Sequence, residues 1–218
     1  FVNGVNSANI SENVFENQSA DGYPAISFSA AWGPTQNYSV TFSDNSFSNV
    51  SCSGIRIYSY TAENPDNDFL TAQYNDFSGI NGLVIDNQYP DYTLVDATCN
   101  YWGTTDPYDM ADAVSGDVQF LPYSTTADPM NCDGEGPVVN ITQDLSYMTI
   151  QAAIDEAVAN DVIEVAAGTY TEQLHITIPN LTIQGAAGED VTVKSPENLT
   201  HFYNSGSNDN YPVIFVDG

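Results

Sequence analysis

The sequence predicts an all-β chain built from stacked parallel strands, and three observations carry that prediction. A six-residue pattern recurs in "ISENVF" (Ile10 to Phe15), "FSDNSF" (Phe42 to Phe47), "AQYNDF" (Ala72 to Phe77) and "ATCNYW" (Ala97 to Trp102). In each, an apolar or small residue is followed three positions later by Asn, and two after that by Phe or Trp. The first three copies are each followed by a short apolar run, "YPAISF" after Gly22, "IRIY" after Gly54 and "LVID" after Gly82. These runs alternate or are continuously apolar, as parallel strands with one face in a core are. Finally, Gly, Asn and Ser are too dense between the runs for helices.

Taken in order, the repeated asparagines are Asn13, Asn45, Asn75 and Asn100, spaced 32, 30 and 25 residues apart. A period of 20 to 50 residues points to a solenoid or a propeller. A fixed local motif with variable spacing suggests layers of constant core joined by loops of different length. Asn tolerates a left-handed corner, and stacked asparagines can hydrogen-bond as a ladder. The aromatics Phe15, Phe47, Phe77 and Trp102 would then point inward and stack at the strand spacing.

These repeats resemble the right-handed parallel β-helix repeat family, the fold shared with pectate-lyase-like proteins, over nearly the whole chain. The resemblance implies a right-handed parallel β-helix (β-solenoid) in which "CNYWG" is a closing coil, with Trp102 shielding the end of the core and a loose polar tail from Tyr108 to Pro137. From Val138 a second unit begins. "TIQAAIDEAVAND" (Thr149 to Asp161) sets Ile150, Ala153, Ile154, Ala157 and Val158 on one helical face. Short strands with glycine corners follow in "DVIEVAAGTYTE", "LHITIPNLTIQG" and "DVTVKS". This resembles the entry of a β-helix in the same family, where one short capping α-helix, here at about 149–159, plugs the end.

The expected domains are therefore 1–123, the C-terminal half of a β-helix, 124–137, a linker, and 138–218, the N-terminal half of a following β-helix. Both outer ends would be open stacks, an aggregation liability unless completed. Reading from Gly218 into Phe1 gives "PVIFVDGFVNGVNSANISENVF", a plausible strand, corner, strand sequence. The expectation is that one copy completes the next, either covalently or by docking.

With 29 acidic against 2 basic residues the formal charge is -27, which repels nucleic acid and anionic membranes. No apolar run is long enough to span a bilayer. The chain opens on Phe1 without an initiator Met and reads as a mature or excised piece. Sequons at Asn9, Asn17, Asn37, Asn49, Asn140, Asn180 and Asn198 fit a glycosylated extracellular surface, and equally a polar, turn-rich sequence. Three cysteines, Cys52, Cys99 and Cys132, suggest one disulfide and one thiol. A Cys99–Cys132 bond, which would tie the tail to the last coil, is one candidate.

Catalytic candidates are sparse. Uronate lyases need cationic groups, and only Arg56 and Lys194 are present. Arg56 lies between Ile55 and Ile57, so it faces outward, expected near Ser27 and Val84 and paired with a carboxylate. Glycoside hydrolysis needs two facing carboxylates, and Asp86, Asp91 and Asp96 do not recur at matching positions. His175 and His201 read as surface or turn residues. Calcium is the one ligand with support. Asp128, Asn131, Asp133 and Glu135 share a short loop, with a second acidic loop at Glu63 to Phe69, and no cofactor is required. The expected function is structural: a repeating unit of an extracellular filament, sheath or surface layer, partnered by its own copies and by cell-surface glycans. The alternatives are a secreted polysaccharide-active or carbohydrate-binding β-helix fragment, or an adhesin stalk.

Overall fold

The six-residue pattern sets the layout of the first unit. In the computed structural model, which describes residues 7–19, 22–31, 39–59, 69–88, 93–128 and 131–217, β1 (Ala8–Ser11), β2 (Val14–Glu16) and β3 (Ile26–Ala31) form a first layer. The triplet recurs in β4 (Val40–Ser43), β5 (Ser46–Ser48) and β6 (Ile55–Ser59). The third layer keeps β7 (Leu70–Gln73) and β8 (Ile85–Asn87), with a single bridging residue, Asp76, in the middle position. β9 (Val95–Asp96) opens the next layer, and after helix α1 (Pro107–Asp112) the chain adds β10 (Val114–Ser115) and β11 (Val118–Gln119).

Like strands pair with like. β1, β4, β7, β9 and β11 form one parallel sheet, and β3, β6, β8 and β10 a second. β2 pairs with β5, and parallel bridges from Ser46 to Asp76 and from Asp76 to Tyr101 extend that face. The registers align the apolar positions in rows, Ile10–Phe42–Ala72 on one face and Ile26–Ile55–Ile85 on another. Because strand side chains alternate, every second residue of each row falls inside. Phe28, Phe42, Phe77, Ile55, Ile57 and Ile85 are fully buried, each worth about 1.5–3 kcal/mol over its exposed state. Backbones meet tightly at the corners: a Cβ on Gly79 would lie 2.0 Å from the Phe47 carbonyl oxygen.

Several expectations are corrected here. The left-handed corner residue is the one before each ladder asparagine, namely Glu12, Asp44, Tyr74 and Cys99, with φ between +56° and +60°. The asparagine that follows is thereby left to hydrogen-bond along the stack. Trp102 does not end the core, because β10 and β11 continue both sheets and Phe120 packs against Trp102 at 6.0 Å. A second helix, α1, was not expected; Asp106 caps it by accepting from the Tyr108 N–H, and Pro107 supplies a fixed φ at its first turn. The segment from 124 is no free linker either. The division between compact units falls between Gly134 and Glu135, and Tyr123 and Gly134 exchange backbone hydrogen bonds of 3.0 and 2.8 Å. A Cβ at Gly134 would sit 2.3 Å from the Tyr123 ring, so only glycine fits.

In the second unit β12 (Val138–Asn140) pairs antiparallel with both β13 (Leu145–Tyr147) and β14 (Val162–Val165). Helix α2 (Ile150–Asp155) lies between them in sequence, capped by the Thr149 hydroxyl, which accepts from the Ala152 N–H. It buries Ile150, Ala153 and Ile154 against Val138, Ile163, Val165, Tyr170 and Leu174. The helix is shorter than the expected 149–159, ending at Glu156, so Val158 leaves the apolar face and is exposed. Beyond it β14, β15 (Gly168–Thr171) and β16 (Leu174–Ile176) pair in parallel with β17 (Thr182–Gly185), β18 (Val191–Lys194) and, after the hairpin of β19 (Tyr203–Ser205) and β20 (Asn208–Asn210), β21 (Ile214–Val216).

Candidate functional site

The four repeated asparagines form a ladder. Asn13 Nδ2 donates to Asn45 Oδ1 at 3.0 Å, Asn45 Nδ2 to Asn75 Oδ1 at 3.1 Å, and Asn75 Nδ2 to Asn100 Oδ1 at 2.9 Å. The backbone N–H of each of the first three also donates to the next Oδ1, at 3.0, 3.0 and 2.7 Å. Nδ2 protons also reach main-chain carbonyls, such as Phe42 and Gln73 from Asn75, and Ala72 and Ala97 from Asn100. Asn45, Asn75 and Asn100 are buried at little cost, because every side-chain amide atom is satisfied. Beside the ladder runs an aromatic row: Phe15 to Phe47 at 5.1 Å, Phe47 to Phe77 at 5.5 Å, and Phe77 to Trp102 at 5.3 Å.

One end of the first unit is closed. A Cys99–Cys132 disulfide joins the last asparagine corner to the following segment, where Phe120, Leu121 and Tyr123 are buried. Burial, with Asp106 and Asp133 nearby, pushes the Tyr123 hydroxyl above its ordinary pKa; that hydroxyl donates to the Thr105 carbonyl at 2.7 Å. The other end presents β1, β2 and β3, each with a strand neighbour on one side only among the described residues. Ile10 and Phe15 there are half-buried, while their row neighbours Phe42 and Phe47 are buried.

The second unit has the opposite arrangement. Its start is covered by α2 and its far layer, β17, β18 and β21, is open among the described residues. Leu174 is 2% exposed, but its register partner Ile214 is 50% exposed and Val216, opposite Ile176, 68%. At the covered end Asp161 Oδ2 accepts from Asn140 Nδ2 at 2.8 Å, from the Val158 N–H at 2.8 Å and from Gln143 Nε2. The Val158 N–H, with Asn140 and Gln143, holds this carboxyl below its ordinary pKa. Nothing in the sequence pattern pointed to Asp161, since its partners come from two stretches, Asn140 with Gln143 and Val158. Tyr170 was also missed, although it follows Val165 by the five residues that separate Ile10 from Phe15.

The remaining candidates are placed as follows. Arg56 faces Asp86, not Val84; its Nε donates to Asp86 Oδ2 at 2.8 Å and its Nη1 to the Gly22 carbonyl at 2.8 Å. It lines a cavity of about 250 Å³ with Cys52, Ser53 and Leu83. Asp96 accepts from Gln73 and Thr98, and Asp91 lies outside the described residues. His175 stacks on Phe215 at 5.3 Å, and His201 hydrogen-bonds Asn204 at 2.6 Å. In the acidic loop, Asp133 Oδ1 accepts from the Thr125 hydroxyl at 2.7 Å, the main reason its pKa is lowered. Asn131 Nδ2 reaches the same hydroxyl at 3.4 Å, Ser124 donates to the Asp128 carbonyl at 3.1 Å, and Glu135 is exposed in the second unit. Among the described residues no three His, Cys, Asp or Glu side chains converge on a metal position, and the loop at Glu63 to Phe69 lies almost wholly outside them.

Of the sequons, Asn9, Asn17, Asn49, Asn180 and Asn198 are exposed and Asn37 lies outside the described residues. Asn140 is corrected: it is fully buried, with its amide nitrogen bonded to Asp161, so no glycan fits there. Among the described residues no helix is long and apolar enough to cross a membrane. No protein-family model, curated protein or solved structure matches the chain.

Proposed function

We propose that this chain is a structural repeating unit of an extracellular filament, sheath or surface layer, in which each unit is part of a right-handed parallel β-helix and copies join head to tail. One observation carries the reading. Strands without a second neighbour bound both ends of each unit among the described residues, but one end is covered, by buried Phe120, Leu121 and Tyr123 in the first and by α2 in the second. At the other end, the layer of β1, β2 and β3 leaves Ile10 and Phe15 half-buried and that of β17, β18 and β21 leaves Ile214 and Val216 exposed. Both sets are parallel layers of three strands with an apolar interior, so the open layer of one copy continues into the open layer of another without reversing strand direction. Unpaired edges over exposed apolar rows are the usual cause of uncontrolled aggregation, and a matched second edge is what removes it. The acidic exterior suits cation-bridged or glycan-covered surroundings, with calcium as the cation to test.

The alternative, a polysaccharide-active or carbohydrate-binding fragment, has the Arg56 cavity as its one favourable feature. Against it, the Arg56 guanidinium is already engaged by Asp86. Electron microscopy of the 218-residue chain, with and without a calcium chelator, tests the main reading. Thin unbranched fibres are expected, and dispersed particles at high protein concentration would sink it.

A further inference from the structure

We propose that β18 of one copy pairs with β2 of the next in the register that sets Lys194 against Glu16, and that this ion pair fixes the register of the joint. The inference rests on the head-to-tail reading and adds to it a specific alignment.

The alignment follows from spacing. In the first unit the inward residue of the first strand precedes the stacked aromatic by five positions, as in Ile10 and Phe15, Phe42 and Phe47, and Ala72 and Phe77. In the second unit Val165 and Tyr170, both buried, have the same separation. Tyr170 therefore holds the place of the aromatic row. Its register partner is Val193, which makes Val193 the outermost residue of that row in its unit, as Phe15 is in the other. Setting Val193 on Phe15 keeps the inward row continuous. Parallel pairing then aligns Thr192 with Val14 and Lys194 with Glu16.

Other registers are worse for physical reasons. A slip of one residue turns the inward row to solvent. A slip of two brings Val191 onto Phe15 and faces Glu16 with Thr192, so the inward row survives but the charge match is lost. Lys194 and Glu16 are both exposed. Among the described residues the only ion pair is Arg56–Asp86, so neither has a partner within salt-bridge distance. In a chain with 2 basic and 29 acidic residues, a lysine that has no ion-pair partner among the described residues and sits on an edge strand, one step from the row that sets the register, is a selective feature. Directly opposed side chains on adjacent strands are about 5 Å apart, close enough for opposite charges to attract and like charges to repel.

The test uses Lys194→Glu and Glu16→Lys in the 218-residue chain, followed by sedimentation velocity at low salt. Each variant alone sets like charges at every joint and should associate about tenfold more weakly than the parent. An equimolar mixture sets Glu against Lys at every joint by alternation, so association should return to the parental level. Salt at about 0.5 M should shrink both effects. If each variant associates like the parent and mixing adds nothing, the register is overturned while head-to-tail joining stands. If the parent itself stays monomeric at every concentration, both readings fall. Recovery on mixing also shows that the single variants are folded.

Discussion

In the first unit the polar corner beside the core is satisfied by four amides in series, whereas in the second a single carboxylate, Asp161, gathers three donors onto one oxygen. The difference lies in what each group can pass on. An amide both donates and accepts, so each new layer satisfies the one before and leaves a new group to be met. An ionised carboxylate only accepts, so it ends a chain of hydrogen bonds. The ladder runs through successive strand layers, and Asp161 sits at the covered end of its unit, next to β12 and the segment after α2. Extension and termination are thus written in the choice between Asn and Asp.

The strongest way to break that comparison is to put the terminating group inside the ladder. Asn75→Asp removes the donor to the Phe42 and Gln73 carbonyls and to Asn100 Oδ1. It should destabilise the first unit by about 4 kcal/mol at neutral pH, since several buried acceptors lose their donor together. Urea unfolding followed by peptide-resolved hydrogen exchange reads each unit separately, and the second unit should be unchanged. Cys132→Ser, which opens the tie between the last corner and its following segment, should cost the first unit about 3 kcal/mol in the same assay. In the second unit Ile154→Ala should cost about 3 kcal/mol through the cavity left under α2.

The pH response sharpens the contrast further. The folded state lowers the Asp161 pKa, so its contribution is present above the unfolded carboxylate value of about 3.9 and is lost as pH falls through the lower folded value. Acid should therefore loosen the covered end of the second unit, seen as faster exchange at Asn140 and Val158. Asp161→Asn should flatten that dependence, and an unchanged acid response in this variant would refute the assignment. The amide ladder itself has no titrating group in this range. The smallest effect is expected at its open end, where Asn13→Ala should cost under about 1 kcal/mol, because Asn13 is exposed and its Oδ1 has no donor among the described residues.

The ladder residues and the aromatic row were legible because both depend on local spacing, which a sequence displays directly. The corner conformation was misassigned by one residue, since Asn is the habitual left-handed residue and Glu12, Asp44, Tyr74 and Cys99 are forced into that role by their position. Helix α1 had a readable start in Asp106 and Pro107 but too few turns to show a period. Val158 fitted the helical face on paper, yet the chain leaves the helix at Glu156 so that the Val158 N–H can reach Asp161. Asp161 and the Arg56–Asp86 pair depend on long-range register, which only the folded backbone reveals.

The ladder carries one more consequence. All three of its side-chain bonds run the same way, Nδ2 of the earlier layer to Oδ1 of the later, so the amide dipoles line up with their oxygens pointing back toward Asn13. The row is a short polar wire with a negative tip at the open face. That tip favours hydrogen-bond donors or positive charge set against it, so the two ends of the row are electrically unlike.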